Sequence, residues 1–425
     1  MKGWQTPRPA WVARLMGLGC LLGGLSSPAL AQGAPSAQGL QLEGFGTLSA
    51  YRNDDAVVAA RPGERVRLAS QAGRWRADGD TVLGLQLRWS SSDTVEWVWQ
   101  VQARDDLSRS YRPNTEWAYL GWQFAPDWSL RVGRQPLPIF LSSESSRVGF
   151  AHTPVRPMSA VYGLNSSEPV DGVNASWSGA ALGGNLSWDL GAGRNRLTVP
   201  RGRVDTQALL ASALRWQREG LALRLGAAAF RFDLISPGLE AQLQALSNSP
   251  QLCLNCSAVL PQRARTRGVE GHVINLALVW EHEDWTLTTE AMRRGGNSAF
   301  NAKVHAWYAL LSHRFGRWTP YAAIGRSAHT EAPLGLQAAP GSPEASAQSL
   351  ADLDLSLQRP WDRRIELLGL RWDCFEKLAL KLQLERWTAT RDRSTPRDGE
   401  IRLLPHGAPW DGRLNLLTVS ADFVF

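Results

Sequence analysis

Beyond its N-terminal region, the chain has no long apolar run. No stretch after residue 31 reaches the roughly 18 consecutive apolar residues that a membrane-spanning helix needs. Charged residues make up 20% of the chain, and the mean hydropathy is −0.25. These values exclude a helical membrane protein. They are compatible with a β-barrel, because half of each barrel strand faces a polar interior.

Concentrated charge of one sign is also absent. The sequence has 46 Lys and Arg residues against 39 Asp and Glu residues, for a formal net charge of +7. The basic residues are scattered singly, with no run of five or six. This pattern gives no basis for a nucleic-acid partner.

The chain lacks the motifs of common enzymes and metal sites. It contains no H-E-x-x-H, phosphate-loop or EF-hand pattern. Its seven His residues, among them His152, His282 and His313, show no spacing to Ser and an acid that is typical of a catalytic triad. We therefore expect no enzymatic activity, no cofactor and no metal.

Cysteine is scarce, with four residues. Cys20 lies in the N-terminal apolar run, and Gly17 rather than Leu stands three places before it, which excludes lipidation. Cys253 and Cys256 predict a possible local disulfide in an oxidising compartment. The alternative metal or redox role would need a second ligand pair or a βαβ setting, and neither is nearby. Cys374, in a short turn, is expected to be an unpaired thiol.

The first 31 residues have the features of a secretory signal peptide. Lys2, Arg8 and Arg14 precede or flank an apolar run, and an A-x-A site ends at Ala31. We expect cleavage after Ala31 and a single domain over residues 32–425. Loss of the three basic residues lowers the net charge from +7 to +4, because the segment holds no acidic residue.

Trp, in contrast, is abundant, with 20 residues. In the stretch LALVWEHEDWTLTTE, over residues 276–290, two alternating segments flank a charged tip, and Trp280 and Trp285 share one face. Trp has an apolar body and an N–H that requires water, so it collects at bilayer borders. Six further short turns are entered from Trp or Phe: WSSSDTVEW (89–97), WQFAPDW (122–128), WSGAALGGNLSW (177–188), WQREGL (216–221), FGRW (315–318) and WDCFEKL (372–378).

Sixteen segments are candidate strands of about the length that a tilted membrane strand needs. They lie near 41–51, 81–89, 95–104, 115–124, 128–137, 170–177, 182–191, 205–216, 221–232, 272–280, 285–294, 303–315, 318–327, 364–372, 377–389 and 413–425. Short and long connections alternate along the chain without exception. We therefore predict an all-β fold, a transmembrane antiparallel β-barrel with short periplasmic turns and long external loops.

Some segments fit this prediction less well. Residues 41–51, 303–315 and 364–372 alternate poorly. Arg65–Ala72 and Asp352–Gln358 also alternate and would make eighteen strands if both crossed the membrane; we interpret them as loop ribbon or strand extension. In the loop over residues 233–271, the stretch GLEAQLQAL has helical spacing and predicts one short surface helix.

Three stretches resemble the Gram-negative outer-membrane porins. LNLLTVSADFVF resembles their terminal strand, LEGFGTLSAY (42–51) the first strand, and RVGRQPLPIF (131–140) the fifth strand with the start of the third external loop. The resemblance implies a 16-stranded, usually trimeric barrel in outer-membrane lipid, through which small hydrophilic solutes diffuse. It also implies that Phe423 and Phe425 form an assembly signal, read by the outer-membrane assembly machinery.

In this family the third loop folds into the lumen and narrows it. Here that loop brings Glu144, Arg147, Arg156 and Glu168, and the inward phase of the early strands brings Arg88, Arg104 and Arg131. Such charges predict a pore constriction with a weak preference for anions; the alternative is that they only solvate the wall. Two other functions stay open, a substrate-specific channel and a structural or adhesive barrel with a closed lumen.

Overall fold

The computed structural model describes residues 39–61, 72–105, 110–163, 168–199, 202–358, 362–390, 400–403 and 409–425. The predicted signal peptide and nearly all of Arg65–Ala72 lie outside these residues. Within them, no helix combines the length and apolar character that crossing a membrane requires.

Sixteen strands close into one antiparallel barrel, which confirms the predicted fold class and strand number. The barrel strands are β1 (Gly39–Asn53), β3 (Val82–Ser92), β4 (Val95–Arg104), β5 (Asn114–Ala125), β6 (Trp128–Gln135), β7 (Val170–Ala181), β8 (Gly184–Val199), β9 (Gly202–Arg218), β10 (Leu221–Ile235), β11 (Val269–His282), β12 (Trp285–Gly296), β13 (Val304–His313), β14 (Trp318–His329), β15 (Arg363–Phe375), β16 (Leu378–Ala389) and β18 (Arg413–Val424). Each strand pairs with its neighbours in chain order, and β18 pairs with β1 to close the sheet.

The predicted short turns are the hairpin ends of the barrel. Residues 283–284 join β11 to β12, and Glu283 takes a left-handed φ of 51° there. Leu182 and Glu219 take the same backbone region in two other turns, each followed by a Gly that adopts it freely. In each of these hairpins, a turn of two to four residues therefore connects the two strands.

One predicted loop is wrong. The sequence suggested a long external connection between strands near 182–191 and 205–216. In the structure β8 runs to Val199 and β9 starts at Gly202, and the two strands stay paired along this extension. Alternation of short and long connections therefore fails at this one position, where the chain forms an extended hairpin ribbon instead.

The outer face of the barrel carries an aromatic girdle at the hairpin end. Trp280 and Trp285 are 40% and 41% exposed, as expected for side chains that point away from the lumen. Trp318 and Trp372 lie opposite each other on β14 and β15, with ring centroids 5.1 Å apart. Leu368, Leu382 and their neighbours extend an exposed apolar band above the girdle.

Helices occur in the external loops. Helix α1 (Ser159–Tyr162) lies in the third loop, α2 (Pro237–Ser247) and α3 (Cys256–Arg263) in the fifth, and α4 (Glu344–Gln358) in the seventh. Helix α2 confirms the interpretation of GLEAQLQAL, whereas α3 was not predicted. The interpretation of Asp352–Gln358 as an extended ribbon was wrong, because these residues end α4.

The fifth to seventh loops share a small apolar core. This core buries four leucines: Leu243 of α2, Leu260 of α3, Leu350 of α4, and Leu334 of the loop before α4. Cys253 and Cys256 form a disulfide in this core, and Cys374, at the end of β15, is a buried free thiol. The carboxylate of Asp354 accepts backbone N–H bonds from residues 334–336, which fixes the loop before α4.

The main apolar core lies inside the barrel, on one side. Inward residues of β11 to β18, such as Tyr308, Ile365 and Leu414, pack with Phe140 and Val161 of the third loop. Strands β2 (Val58–Ala60) and β17 (Ile401–Leu403), from the first and last external loops, pair with each other and join this core.

This core explains the poor alternation of two strand segments. On β13, Val304, Ala306 and Tyr308 are buried inward while Trp307 is exposed outward. β15 behaves similarly, with Ile365 buried and Leu368 63% exposed. Since both faces of these strands contact apolar material, the period-two signal is lost.

Candidate channel constriction

The third external loop, residues 136–169, folds inward and contacts the opposite half of the barrel. Its described residues bond to inward side chains of β10, β12, β15, β16 and β18. Helix α1 packs against β12 to β15. The predicted inward fold of this loop is therefore present.

Arg156 ties the tip of this loop to the wall. Its guanidinium donates to both oxygens of Asp80 at 2.9 and 2.8 Å, forms an ion pair with Glu385, and reaches the hydroxyl of Thr418 at 3.2 Å. Arg156 is only 7% exposed. Two carboxylates hold the pKa of Arg156 above its usual value although burial opposes this. Asp80 belongs to the end of the first loop, Glu385 to β16 and Thr418 to β18, so the side chain of Arg156 joins two loops and two strands.

Lys381 of β16 forms a second tie. Its ammonium pairs with Asp422 at 3.0 Å, and both side chains are completely buried. The same ammonium donates to the carbonyls of Gly149, His152 and Pro154 at 2.7, 2.7 and 3.0 Å. The ammonium of Lys381 is therefore shared between a carboxylate of the wall and three carbonyls of the loop backbone.

Further ties flank these two. Arg371 donates to the carbonyls of Phe150 and His152 at 2.9 and 2.8 Å. Arg224 donates to the carbonyl of Ile139 at 2.9 Å, and Glu290 accepts the N–H of Leu141 at 3.0 Å.

His152 is enclosed by these contacts. Burial is the main cause that lowers the pKa of His152 to about 4, while its bond to the carbonyl of Ser145 acts in the opposite direction. The imidazole is therefore neutral near neutral pH.

The early strands carry the exposed part of the charged lining. Arg88 of β3 lies 3.4 Å from Glu96 of β4 and 3.9 Å from Glu43 of β1. These three side chains are between 31% and 42% exposed. Residues Glu43, Gln86, Gln100 and Gln102 form a hydrogen-bonded ladder beside them.

A second exposed group joins the wall to the loop. Arg131 of β6 pairs with Glu144 of the loop at 2.9 Å and lies over the ring of Tyr119, 5.2 Å from its centroid. Arg147 lies 3.8 Å from Glu168 and is 34% exposed. The loop thus places carboxylates opposite the arginines of the wall.

The structure changes two of the sequence-based expectations. Arg104 is buried in a 2.9 Å pair with Glu168, and Arg156 is buried against the wall, so both anchor the loop and contribute little to an open passage. Arg88, Arg104 and Arg131 pair with Glu96, Glu168 and Glu144, respectively. The sequence predicted that Glu144 and Glu168 of the third loop oppose arginines of the wall, but the individual pairs depend on how the loop and the neighbouring strands align.

Reasoning from sequence also missed residues that matter here. Asp80, Thr418 and Asp422 were not singled out, although Asp422 interrupts the last strand as a charged residue on its inward phase. Within the part of the chain that the structure describes, no group of three or more His, Cys, Asp or Glu side chains is placed to hold a metal ion.

Comparison with known proteins gives structural matches alone. No family model and no curated sequence matches the chain. The anion-selective porin from Comamonas acidovorans has a TM-score of 0.54 at 12% identity, with 92% of this chain and all of that chain covered. OmpF of Salmonella typhi, in complex with daunomycin, gives 0.57 at 8% identity over 91% and 98% of the two chains. The outer-membrane channel DcaP of Acinetobacter baumannii gives 0.53 at 11% identity over 91% and 97%.

The chain has the fold of the outer-membrane porins. The closed 16-stranded barrel agrees with these matches, which cover 92% and 91% of this chain. These matches are porins, channels and other proteins of Gram-negative outer membranes, in agreement with the predicted location.

Proposed function

We propose that the protein is an outer-membrane porin, a water-filled channel through which small hydrophilic solutes diffuse passively. The observation that carries this proposal is the division of the lumen. One side is filled by the third loop and an apolar core. On the other side, Arg88 and Arg131 of the wall and Glu144 of the loop facing them are exposed. A charged side chain loses much hydration free energy when it is removed from water. We therefore expect water to fill the side of the lumen that these charged side chains line.

The passage has opposed charges. Arg88 and Arg131 belong to strands, whereas Glu144 and Arg147 belong to the loop that faces them. Opposed charges across a narrow lumen create a transverse field, which selects solutes by charge and dipole. Because most of these charges are paired, we expect the ionic preference to be weak.

A small excess of positive charge supports a preference for anions. Arg215 of β9 is exposed on the inward phase, directly opposite Arg224 of β10. Among the described residues, its guanidinium contacts the amide oxygen of Gln217 at 3.1 Å rather than a carboxylate. Arg215 therefore replaces Arg104 and Arg156 as a candidate selectivity residue.

Conductance of the purified protein in a planar bilayer tests the function. We expect ohmic steps that many small electrolytes can carry. Steps that one solute class blocks at low concentration would favour a substrate-specific channel instead. A protein that inserts as a folded barrel yet gives no steps would favour the structural or adhesive barrel with a closed lumen.

We also propose a homotrimer. A trimer form is known for OmpT of Vibrio cholerae, which matches this chain with a TM-score of 0.51 at 10% identity. Native mass spectrometry in a mild detergent gives the number of chains directly. A monomer that conducts with a single step size would contradict the trimer and leave the channel proposal intact.

A further inference from the structure

The ion pair between Arg131 and Glu144 joins the barrel wall to the third loop across the open part of the lumen. Arg131 belongs to β6, and Glu144 belongs to residues 142–148 of the loop, which we name the crossing segment. The guanidinium and the carboxylate are 2.9 Å apart, and the two side chains are 32% and 51% exposed. In strand order, β6 lies between β3, which carries Arg88, and β9, which carries Arg215. The pair therefore divides the charged lining of the lumen into two parts.

Buried contacts fix the backbone on both sides of the crossing segment. Before the segment, the N–H of Leu141 donates to the carboxylate of Glu290 on β12 at 3.0 Å. After the segment, the carbonyl of Gly149 accepts a hydrogen bond from the ammonium of Lys381 on β16 at 2.7 Å. Glu290 and Lys381 are almost completely buried. The backbone of the segment therefore stays in place when the ion pair breaks, and only side chains move.

The two members of the pair are held unequally. The guanidinium of Arg131 lies over the ring of Tyr119, 5.2 Å from its centroid, and this tyrosine is buried. The attraction between the cation and the ring keeps Arg131 in position when its carboxylate partner leaves. Glu144 lies in a turn and, within the described part of the chain, has no second ion-pair partner. Since water and salt weaken an exposed ion pair, Glu144 is the member that moves.

A second carboxylate near Arg131 is engaged elsewhere. Gly121 stands directly opposite Arg131 on β5, and a Cβ at this glycine would meet the side chain of Glu96. The carboxylate of Glu96 pairs with Arg88 at 3.4 Å. The guanidinium of Arg131 is therefore left to Glu144, or to another carboxylate that takes its place.

We propose that Arg131 is a binding site for the carboxylates of small organic anions, and that Glu144 occupies this site between passages. The proposal rests on the channel function proposed above and names a class of solute for it. A planar guanidinium donates two parallel hydrogen bonds to a carboxylate, a geometry that a spherical halide ion does not match. Glu144 thus acts as a carboxylate of the protein's own that competes with the solute.

Exchange of one carboxylate for another lets such an anion pass the pair. The carboxylate of the solute takes the place of Glu144 on Arg131, and Glu144 turns toward water in the lumen. Arg131 keeps an anionic partner throughout, which lowers the cost of separating the pair. An uncharged solute of the same size makes no exchange and has only the space beside the closed pair.

The first test measures single-channel conductance of the full-length barrel in planar bilayers. E144A removes the mobile member of the pair, and the control E270A removes an exposed carboxylate from the outer face of β11. We expect E144A to conduct about 1.5-fold or more above wild type at 0.1 M potassium chloride. The difference should vanish near 1 M, where the screening length falls to about 3 Å and the wild-type pair is itself weakened. E270A should match wild type at both concentrations.

The second test titrates the channels with propanoate and measures the current noise that its binding causes. We expect half-saturation of the noise at about one fifth of the wild-type concentration in E144A, because an internal competitor with an effective concentration in the millimolar range is lost. R131Q and R131Q/E144A should both lack saturable noise, since without Arg131 the loss of Glu144 frees no site. R131K serves if R131Q does not fold, and should bind more weakly than wild type because lysine lacks the planar fork. Propanamide, the uncharged analogue, should cause no saturable noise in any variant.

Several outcomes would overturn the proposal. E144A that conducts like wild type at 0.1 M salt, or binds propanoate no more tightly, would show that Glu144 does not occupy the site. Propanoate binding by R131Q at the wild-type level would place the site elsewhere. These outcomes require conducting channels, so the porin proposal would survive them. A folded wild-type barrel without current steps would overturn both proposals.

Discussion

The ring of Phe425 covers Gly44, and the two backbones exchange hydrogen bonds of 3.0 and 2.9 Å. A Cβ at residue 44 would overlap the ring, so glycine there allows the last aromatic side chain to lie flat on the first strand. Phe423 covers Gly46 in the same way. The seam between β18 and β1, which closes the barrel, is thus sealed by two aromatic rings over two glycines.

Deletion of Phe425 is expected to reduce assembly. It removes both backbone bonds to Gly44 and half of the aromatic seal, while the other strands keep their pairing. The fraction of heat-modifiable, folded protein in outer membranes measures the effect. Gly44→Val should lower this fraction by displacing the ring, and Leu48→Val, an outward change on the same strand, should leave it unchanged. Normal folded yield without Phe425 would show that the seal is dispensable.

Trp280 and Trp285 are predicted to lie at the periplasmic border of the bilayer. Both are outward and partly exposed next to the charged turn at 283–284. Fluorescence of a variant that retains these two as its sole tryptophans, reconstituted in lipids brominated at different depths, measures their position. We expect the strongest quenching by bromines near the headgroups. Strongest quenching at the bilayer midplane would contradict the girdle.

Much of this fold is readable from sequence because membrane barrels repeat one local rule. At the hairpin end, neighbouring strands are joined by a tight turn with aromatic residues beside it, so the sixteen strands and these seven hairpins can be placed from local pattern, although the extent of β8 and β9 could not. The helix over Glu344–Gln358 was missed for the same reason, since DLDLSLQ alternates locally and becomes helical through packing of Leu350 and Leu353 on other loops.

The lining is harder to predict because its partners are distant in sequence. Arg156 contacts Asp80 and Glu385, which are 76 and 229 positions away. The inward phase of Arg88 can be read from strand alternation, but whether a carboxylate faces it depends on how the loops and neighbouring strands align. Charge counting therefore identified lining residues without distinguishing exposed pairs from buried anchors.

The apolar core inside the barrel should contribute to stability as a soluble core does. Ile365 and Leu368 are three positions apart on β15, the first fully buried inside and the second 63% exposed toward lipid. We expect Ile365→Ala to destabilise the barrel by about 2–5 kcal/mol, since it opens a cavity. Leu368→Ala should cost much less, because lipid can fill the space. Urea unfolding from vesicles measures both, and equal losses would contradict an inner core.

Arg156 is expected to hold the third loop in place. Arg156→Met leaves the buried Glu385 and the partly buried Asp80 beside an uncharged side chain, and removal of one member of a buried ion pair costs about 3–5 kcal/mol. We expect lower stability against urea together with larger or noisier single-channel steps, because the loop tip is released. Arg196→Gln, at an exposed external pair, should change neither quantity. A destabilised variant with wild-type conductance would mean that the other ties suffice.

Arg215 is expected to set the sign of ionic selectivity. It is an exposed inward cation that contacts an amide rather than a carboxylate among the described residues, whereas Arg88 and Arg131 are matched by Glu43, Glu96 and Glu144. Arg215→Gln should therefore shift the zero-current potential in a salt gradient toward cation preference, with little change in conductance. R88Q/R131Q should shift it further, because three carboxylates lose their partners. Both shifts should be largest at low salt, since the screening length is about 10 Å at 0.1 M and about 30 Å at 0.01 M. Arg196→Gln, outside the lumen, controls for net charge. An unchanged potential in Arg215→Gln, or a wild-type channel with strong cation preference, would show that another group determines the field.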